Sequence, residues 1–303
     1  MSQPITSICI LRLSAIGDVC NAVSVVQSIQ RQHPQAQITW IIGKIEARLL
    51  EGLPGVRFVV FDKKLGKAAY SQLKQDLKND YFDVLLHMQV AFRANVASLC
   101  IKARKKIGFD WHTAKELHAL FMRHRIEPAP RSHVLDGFRQ FAKAIGVSEQ
   151  QLGKTPSWQL PIPAADELWA QQQLAAIGNT RVLIISPAAS KAERNWLPER
   201  YAALADYAHA KGFAVILCGG PTELERTLSQ AILASAQHPI TDLTGKTNLK
   251  QLLALLKHAS LVLAPDTGPT HMAVAVGTPV IGLYGHSNPD RTGPYLFRQY
   301  VVE

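Results

Sequence analysis

The chain has 303 residues, 47% hydrophobic and 18% charged, an ordinary globular composition long enough for about two domains. No stretch approaches the roughly 18 consecutive apolar residues of a spanning helix, and Arg12 and Asp18 interrupt the N-terminal apolar run, against a secretory signal. The formal net charge of +10 lies wholly in residues 1–155, with 22 Lys and Arg against 12 Asp and Glu, while residues 156–303 hold 11 of each.

In chain order the first half alternates. "TSICILRLS" (6–14) predicts a buried strand, "GDVCNAVSVVQSIQRQ" a helix with apolar positions at 3.6 spacing, and "QITWIIGK" a second strand; "RFVVFDK", "FDVLLHMQV" and "KKIGF" follow as strands with helical stretches between them. The Pro-rich "TPSWQLPIP" (155–163) breaks the pattern, and a linker is expected there. The series then restarts with "RVLIISP", the helix "LPERYAALADYAHAKG", "FAVILCGG", the helix "TELERTLSQAILASA", "PITDLTG", the helix "NLKQLLALLKHA", "LVLAPD", a short helix and "PVIGLYG". Two tandem doubly wound α/β domains, 1–155 and 156–303, with a cleft between them, are predicted.

Several function classes are disfavoured. Neither half has G-x-G-x-x-G after its first strand, against a dinucleotide dehydrogenase, and "LTGKTN" has Ile240 where a P-loop needs glycine. No D-x-D motif supplies a metal clamp for a sugar diphosphate, and no metal-ligand cluster is visible. Cys9, Cys20, Cys100 and Cys218 stand in apolar contexts without C-x-x-C spacing and read as reduced thiols of a cytoplasmic protein. Aromatics make up only 7% and no RNA- or DNA-binding motif occurs, so nucleic acid is not the expected anion.

Three loops follow strands at the edge where ligands of open α/β sheets bind. In "LSAIGDV", Asp18 arrives at a helix start, where it serves either as a cap or as a general base. In "SPAASKAERNW", small residues precede Lys191 and Arg194, either a solvated basic loop or the positive charge that a departing diphosphate needs. In "APDTGPTH", Asp266, Thr267, Gly268 and His271 meet a helix N-terminus, either as cap and core residues or as a phosphate site. After a further strand, "CGGPTELE" offers Glu223 for ribose hydroxyls. A donor site in one domain, with a base and a basic surface in the other, describes a group transferase.

The segments "ILRLSAIGDV", "SKAERNW", "GGPTELER", "LTGKTNLKQL" and "PDTGPTHMAVAVGTPVIGLYG" resemble, in order and spacing, the ADP-heptose lipopolysaccharide heptosyltransferases, more closely the heptosyltransferase I type. The resemblance spans essentially the whole chain. It implies a GT-B fold, an ADP-heptose donor, inversion at the anomeric carbon without metal or other cofactor, and an acceptor built on 3-deoxy-manno-octulosonic acid (Kdo) attached to lipid A. By position it makes Asp18 the catalytic base and puts Ser14 near the donor phosphates. It also implies donor contacts from Ser190, Arg194, Glu223, Asp266, Thr267, Gly268 and His271, with Thr247 near the adenine, and Lys191 in the same loop is expected to add positive charge for the diphosphate.

The chain departs from that pattern in three places. Ala189 stands for a threonine and Lys115 for an arginine, and the sequence ending "QYVVE" does not contain the terminal helix that usually crosses back in GT-B enzymes. The basic half acquires a role in this reading. Lys63, Lys64, Lys67, Arg93 and Lys115 are expected to meet the carboxylates and phosphates of Kdo–lipid A, with peripheral association at the cytoplasmic face of the inner membrane through charge and the "ELHALFM" helix. Heptosyltransferase II, another nucleotide-sugar transferase of this fold, and a non-catalytic nucleotide-sugar binder are the alternatives.

Overall fold

The computed structural model describes residues 4–178, 181–189 and 192–303, except for the side chains of Ala119 and Glu193. The chain divides into two compact units, residues 1–161 and 162–303. Unit 1 thus runs past the boundary expected at Thr155, because the Pro-rich stretch is anchored to it. Trp158 Nε1 donates to Cys20 O at 2.8 Å, and the Gln27 side chain exchanges two hydrogen bonds with the Gln159 backbone.

In unit 1 the strands are β1 (Ser7–Leu11), β2 (Gln37–Gly43), β3 (Val56–Phe61), β4 (Phe82–His87), β5 (Ala103–Gly108) and β6 (His124–Arg125). The helices are α1 (Ile16–Gln32), α2 (Lys44–Leu50), α3 (Ala68–Asp76), α4 (Phe92–Ser98), α5 (His118–Phe121), α6 (Val134–Lys143) and α7 (Glu149–Leu152). All strand pairs are parallel, in the order β3-β2-β1-β4-β5-β6. The apolar runs of β1, β2 and β4 are buried on both faces, as a parallel sheet covered by helices requires.

Unit 2 contains β7 (Val182–Ile185), β8 (Ala214–Leu217), β9 (Thr241–Asp242), β10 (Leu261–Pro265), β11 (Val280–Leu283) and β12 (Val301–Val302). Its helices are α8 (Ala164–Ile177), α9 (Pro198–Ala210), α10 (Glu223–Ser235), α11 (Leu249–His258), α12 (Gly268–Ala275) and α13 (Pro289–Thr292). The sheet is again parallel, ordered β12-β11-β10-β7-β8-β9. Both units are therefore doubly wound α/β folds, as the alternating pattern predicted.

The short edge strands β6 and β12 and the helix α8 carry no strong sequence signal and were not expected. The "ELHALFM" helix is cut down to the four residues of α5, because Glu116 and Leu117 before it adopt left-handed φ angles of 51° and 62° that cannot continue a right-handed helix. The expected strand "PITDLTG" is reduced to two residues, since the Asp242 carboxylate accepts from Thr244 N and bends the chain into a turn.

Each sheet has one point where the winding reverses, between β1 and β4 in unit 1 and between β7 and β10 in unit 2. Strand carboxyl ends there splay their loops apart and leave a crevice. The loops singled out in the sequence emerge at these points.

Candidate active site

In unit 1 the chain leaves β1 through residues 12–15 and enters α1 at Ile16. Gly43 at the end of β2 lets this loop settle, since its N–H donates to Leu13 O at 2.8 Å and a Cβ there would collide with that same oxygen and with Glu46 Oε2. Asp18 is the third residue of α1, not its N-cap, and Ala15 N reaches Asp18 Oδ2 only at 3.4 Å. Its main partner is Arg12, whose Nη2 makes a short ion pair with Oδ2. Arg12 was not singled out in the sequence, yet it organises the loop. It is 9% exposed, its Nη1 donates to Met88 O at 2.6 Å and its guanidinium lies 5.2 Å from the Phe138 ring centre. Trp40 Nε1 in turn donates to Arg12 O. The Asp18 carboxylate is thereby aimed while 27% of its side chain stays open to solvent.

Ser14 opens onto a cavity of about 560 Å³ bordered by Gln89, Tyr70, Phe92, Arg93 and Glu116. Gln89 ties the two strand ends together, accepting from Leu13 N at 2.6 Å and facing Ser14 Oγ at 3.4 Å. Glu116 closes the far wall by accepting from Phe92 N at 2.5 Å. Beneath it, the His118 ring is buried between Asn95 and Phe109. Phe109 N donates to Nε2, so Nδ1 carries the proton and donates to Asn95 Oδ1. Burial, then the nearby Arg125, lowers the His118 pKa to about 4, and burial beside His118 holds His87 well below the ordinary histidine value.

Of the expected acceptor-side cations, Arg93 lines this cavity with Ser14. Lys115 is exposed one residue before Glu116. Lys63, Lys64 and Lys67 are also exposed, on the 3-10 turn before α3 and the residue that caps that helix, and none of them borders the cavity.

In unit 2 the loops after β7 and β10 start side by side, with Ser186 N donating to Leu263 O at 2.9 Å. Within the first loop, Asn195 Oδ1 accepts from Ala189 N at 2.7 Å and folds it back; Ser190 and Lys191 lie outside the described residues. Arg194 ends a 3-10 turn, half-buried, and its buried Nε has no hydrogen-bond partner.

The turn after β10 is a helix start that does not cap itself. Thr267 is the N-cap of α12, yet its hydroxyl makes no capping bond and is buried without a partner. Pro269 brings no N–H to the first turn, and the N–H groups of Gly268 and Thr270 have no intrahelical acceptor. His271 is 7% exposed, with Nδ1 unpartnered and Nε2 3.8 Å from Asp266 Oδ1. Burial pushes the Asp266 pKa up, but His271, Ser287 and Thr292 outweigh it and hold the carboxyl below its ordinary value. A helix dipole, two N–H groups without an intrahelical acceptor, a buried hydroxyl and a ring nitrogen thus belong to one helix start, an arrangement that favours negative charge.

The loops after β8 and β9 join this edge, with Gly245 N donating to Gly219 O at 2.9 Å. Thr247 is half-buried just before the Asn248 cap of α11. Glu223 is exposed at the start of α10, and among the described residues it has no polar partner. The structural carboxylate in this loop is Glu225, which accepts from Gly220 N at 2.6 Å and Thr222 Oγ1 at 2.5 Å. The capping-box spacing T-x-x-E in "PTELE" is the sequence signal for it. Among the described residues no group of three or more His, Cys, Asp or Glu could hold a metal ion.

The chain resembles known proteins over nearly its whole length. The family model described as glycosyltransferase family 9 (heptosyltransferase) matches residues 70–303. The lipopolysaccharide core heptosyltransferase OpsX of Haemophilus influenzae is 47% identical over 98% of this chain and 84% of its own length. Lipopolysaccharide heptosyltransferase 1 of Escherichia coli K12 is 23% identical over 96% of this chain and 92% of its own. The finer likeness to the heptosyltransferase I type therefore has about half the identity behind it that the likeness to OpsX has. Among solved structures, E. coli heptosyltransferase WaaC with ADP superposes with a TM-score of 0.78 at 20% identity, covering 98% of this chain and 92% of that one, and shares the GT-B fold.

Proposed function

The chain belongs to glycosyltransferase family 9, the heptosyltransferases, and from that premise we propose that it transfers heptose from ADP-heptose to a Kdo sugar of lipid A in the lipopolysaccharide core. The reaction is a single in-line displacement with inversion. Asp18 takes the proton from the attacking acceptor hydroxyl, the oxygen bonds to the anomeric carbon, and the bond from that carbon to the diphosphate oxygen breaks. ADP leaves with its developing charge met by Arg194, the first-turn N–H groups of α12 and the helix dipole. These groups carry the leaving-group charge without a metal. Lys191 and Ser190 supply further phosphate contacts, His271 and Asp266 hold the sugar-diphosphate turn, and Glu223 and Thr247 face the nucleoside.

The observation that carries this reading is the set of unspent polar atoms at the start of α12, Thr267 Oγ1 and His271 Nδ1, together with Arg194 Nε in the same unit. Buried polar groups without partners are rare in folded proteins and each calls for an explanation; Arg12 Nε and both ring nitrogens of His87 are others in this chain, and those at the start of α12 are the ones set beside a helix N-terminus. Residues 1–161 form the acceptor unit and 162–303 the donor unit. E. coli WaaC has been solved with ADP, which supports an adenine nucleotide as the leaving group. No helix among the described residues is long and apolar enough to cross a membrane, and the proposed residence is the cytoplasmic face of the inner membrane, held by charge.

A second reading, in which the acceptor is a different core sugar, is equally consistent with the 47% identity to OpsX, a core heptosyltransferase. One experiment separates them: ADP release on mixing the protein with ADP-heptose and delipidated acceptors, with Kdo bare, Kdo phosphorylated or Kdo already heptosylated, beside Asp18→Asn. Release that depends on a bare or phosphorylated Kdo acceptor and falls by roughly 10²–10⁴ in the variant, with ADP binding retained, is the expected result. Release only with the heptosylated acceptor moves the enzyme to another core step. Equal loss of release and ADP binding in the variant reassigns Asp18 to structure.

A further inference from the structure

The start of α12 sets a carboxylate where the proposed reaction puts a diphosphate. Asp266 immediately precedes the Thr267 N-cap, with only 19% of its side chain open to solvent. Its charge is maintained from within unit 2. Thr292 Oγ1 donates to Oδ2 at 3.0 Å, Ser287 donates a further hydrogen bond, and the Tyr284 hydroxyl donates to Thr292 O at 2.7 Å and pins the loop that brings both. Burial works against the ionised form, yet His271, Ser287 and Thr292 hold the carboxyl below the ordinary aspartate value. Among the described residues no Lys or Arg pairs with it. A fixed anion in that place repels phosphate unless its charge acts through another group.

That group is His271. Its ring is buried, Nε2 stands 3.8 Å from Asp266 Oδ1, and Nδ1 has no partner. The ring nitrogen that faces a carboxylate carries the hydrogen, which leaves Nδ1 of the neutral ring as a bare lone pair. A lone pair cannot bond a phosphate oxygen. The imidazolium, with a hydrogen on each nitrogen, can stand between a carboxylate and a phosphate and bond both. Burial and the positive end of the α12 dipole oppose that charge in the empty site, and an arriving diphosphate reverses the balance. Of the elements packed against α12, β10 and β11 carry no titratable side chain, while α11 brings Lys250, Lys257 and His258, the last two engaged by Glu167. The loop after β11 brings Tyr284, His286, Asp290 and Arg291, with Asp290 paired to Arg298. Among the described residues only Asp266 stands within ion-pair distance of the ring.

We propose that the donor binds with uptake of a proton: as the diphosphate arrives, a proton from solvent adds to His271 Nδ1, the new N–H donates to a phosphate oxygen, and Asp266 serves as counter-ion at Nε2. Asp266 is then a positioning residue that acts on the donor through His271, and Thr292 and Ser287 aim it. The inference rests on unit 2 holding a sugar diphosphate. Its consequence is that donor affinity falls as pH rises above the range in which a histidine takes up a proton readily.

The test is calorimetry of ADP-heptose binding to the full chain, without acceptor, in buffers of different ionisation enthalpy, for the parent, His271→Gln and Asp266→Asn. Both phosphates of this ligand are esterified, so it lacks the monoester proton that titrates near neutrality. The dependence of the heat on the buffer counts the protons taken up. At about pH 7.5 the parent should take up on the order of one proton per ligand, and its Kd should rise up to roughly tenfold from pH ~7 to pH ~8. His271→Gln keeps a hydrogen-bonding side chain that cannot titrate, so it should bind without uptake and without that pH dependence. Asp266→Asn should bind with the uptake at least roughly halved, whereas a merely structural role would weaken binding and leave the proton count unchanged. Binding by the parent without uptake, or uptake that survives His271→Gln, overturns the proposal while the donor reading stands. Parental uptake in Asp266→Asn overturns the positioning role. Uptake on binding with no ADP release from any acceptor would leave the proton coupling standing and remove the transferase reading instead.

Discussion

At the winding reversal of unit 1, Asp18 meets the Arg12 guanidinium and the Ala15 N–H from its own chain, whereas in unit 2 Thr267 Oγ1, His271 Nδ1 and Arg194 Nε are buried without partners. At the same topological position the carboxylate of unit 1 is thus paired within the fold, although Arg12 Nε beside it is itself buried without a partner, while in unit 2 a hydroxyl and a ring nitrogen at the helix start are left unpartnered. In the proposed reaction Asp18 is the proton acceptor, which has to point correctly before substrate arrives, and the Arg12 pair fixes its orientation within the fold. A site for a diphosphate is better served by donors kept free, at a cost to the empty protein that the ligand offsets.

Replacing Arg12 tests the paired side and should give the largest effect. Arg12→Met strips a buried partner from Asp18, and unfolding in urea should show a loss of about 3–4 kcal/mol. Adding Asp18→Asn to it should restore most of that loss. A cost below about 1 kcal/mol would mean that the pair does not hold the loop.

Acidification probes the same unit. His118 has its pKa lowered to about 4 by burial, so below the ordinary histidine value the unfolded chain binds a proton that the folded chain refuses. Its contribution is complete above pH ~6.5 and is lost as pH falls from there towards 4, about 2–3 kcal/mol in all. His118→Gln should flatten the dependence of Tm over that window, while His87 retains a part of it. In unit 2 the lowered Asp266 acts in a different range: its stabilisation is present above the ordinary aspartate value, near pH 4, and is lost only as pH falls through its lower folded value. Coincident acid transitions in the two units would contradict this contrast.

The unpartnered side is tested by binding. Thr267→Val and His271→Ala should weaken ADP roughly 10–100-fold by calorimetry, the worth of a hydrogen bond to a charged group. Thr267→Val should not lower the melting temperature of the unliganded protein, since its unpartnered hydroxyl contributes no bond there, whereas His271→Ala also gives up the buried ring and its interaction with Asp266 and should lower it. A stability loss in Thr267→Val equal to its binding loss would make that hydroxyl structural. The smallest effects separate two neighbouring acids. Glu225→Gln should cost about 1 kcal/mol of stability through the α10 cap and leave ADP binding alone. Glu223→Gln should leave stability alone and weaken ADP severalfold, by about 1 kcal/mol.

Much of the framework was legible because buried parallel strands read as uninterrupted apolar runs. "VLII", "AVIL" and "LVLAP" became β7, β8 and β10, and the polar turns that follow them lie at the carboxyl edge where the candidate site is placed. Ser14, Asp18 and the Asp266–His271 turn could be picked out for that reason. Arg12 could not, since a single charge inside "ILRLS" says nothing about Met88 O, contributed from far along the chain. Gln89 was hidden in the same way, within "HMQV". Glu116 was absorbed into a helix expected from apolar spacing, because periodicity carries no information about the sign of φ. Glu225 was readable from its capping-box spacing, and the attention given to Glu223 passed over it.

The two sheets follow the same sequence of moves: three strands laid outward from the start, then three laid outward on the other side. Each unit therefore owns a complete crevice built by its own loops, and a change in one need not be answered in the other. Such an arrangement would let a lineage diversify by halves, keeping the proposed nucleotide-binding half while the partner half is altered for a new sugar. A chimaera that exchanges residues 1–161 between two members of the family should accordingly take its acceptor from one parent and its nucleotide from the other.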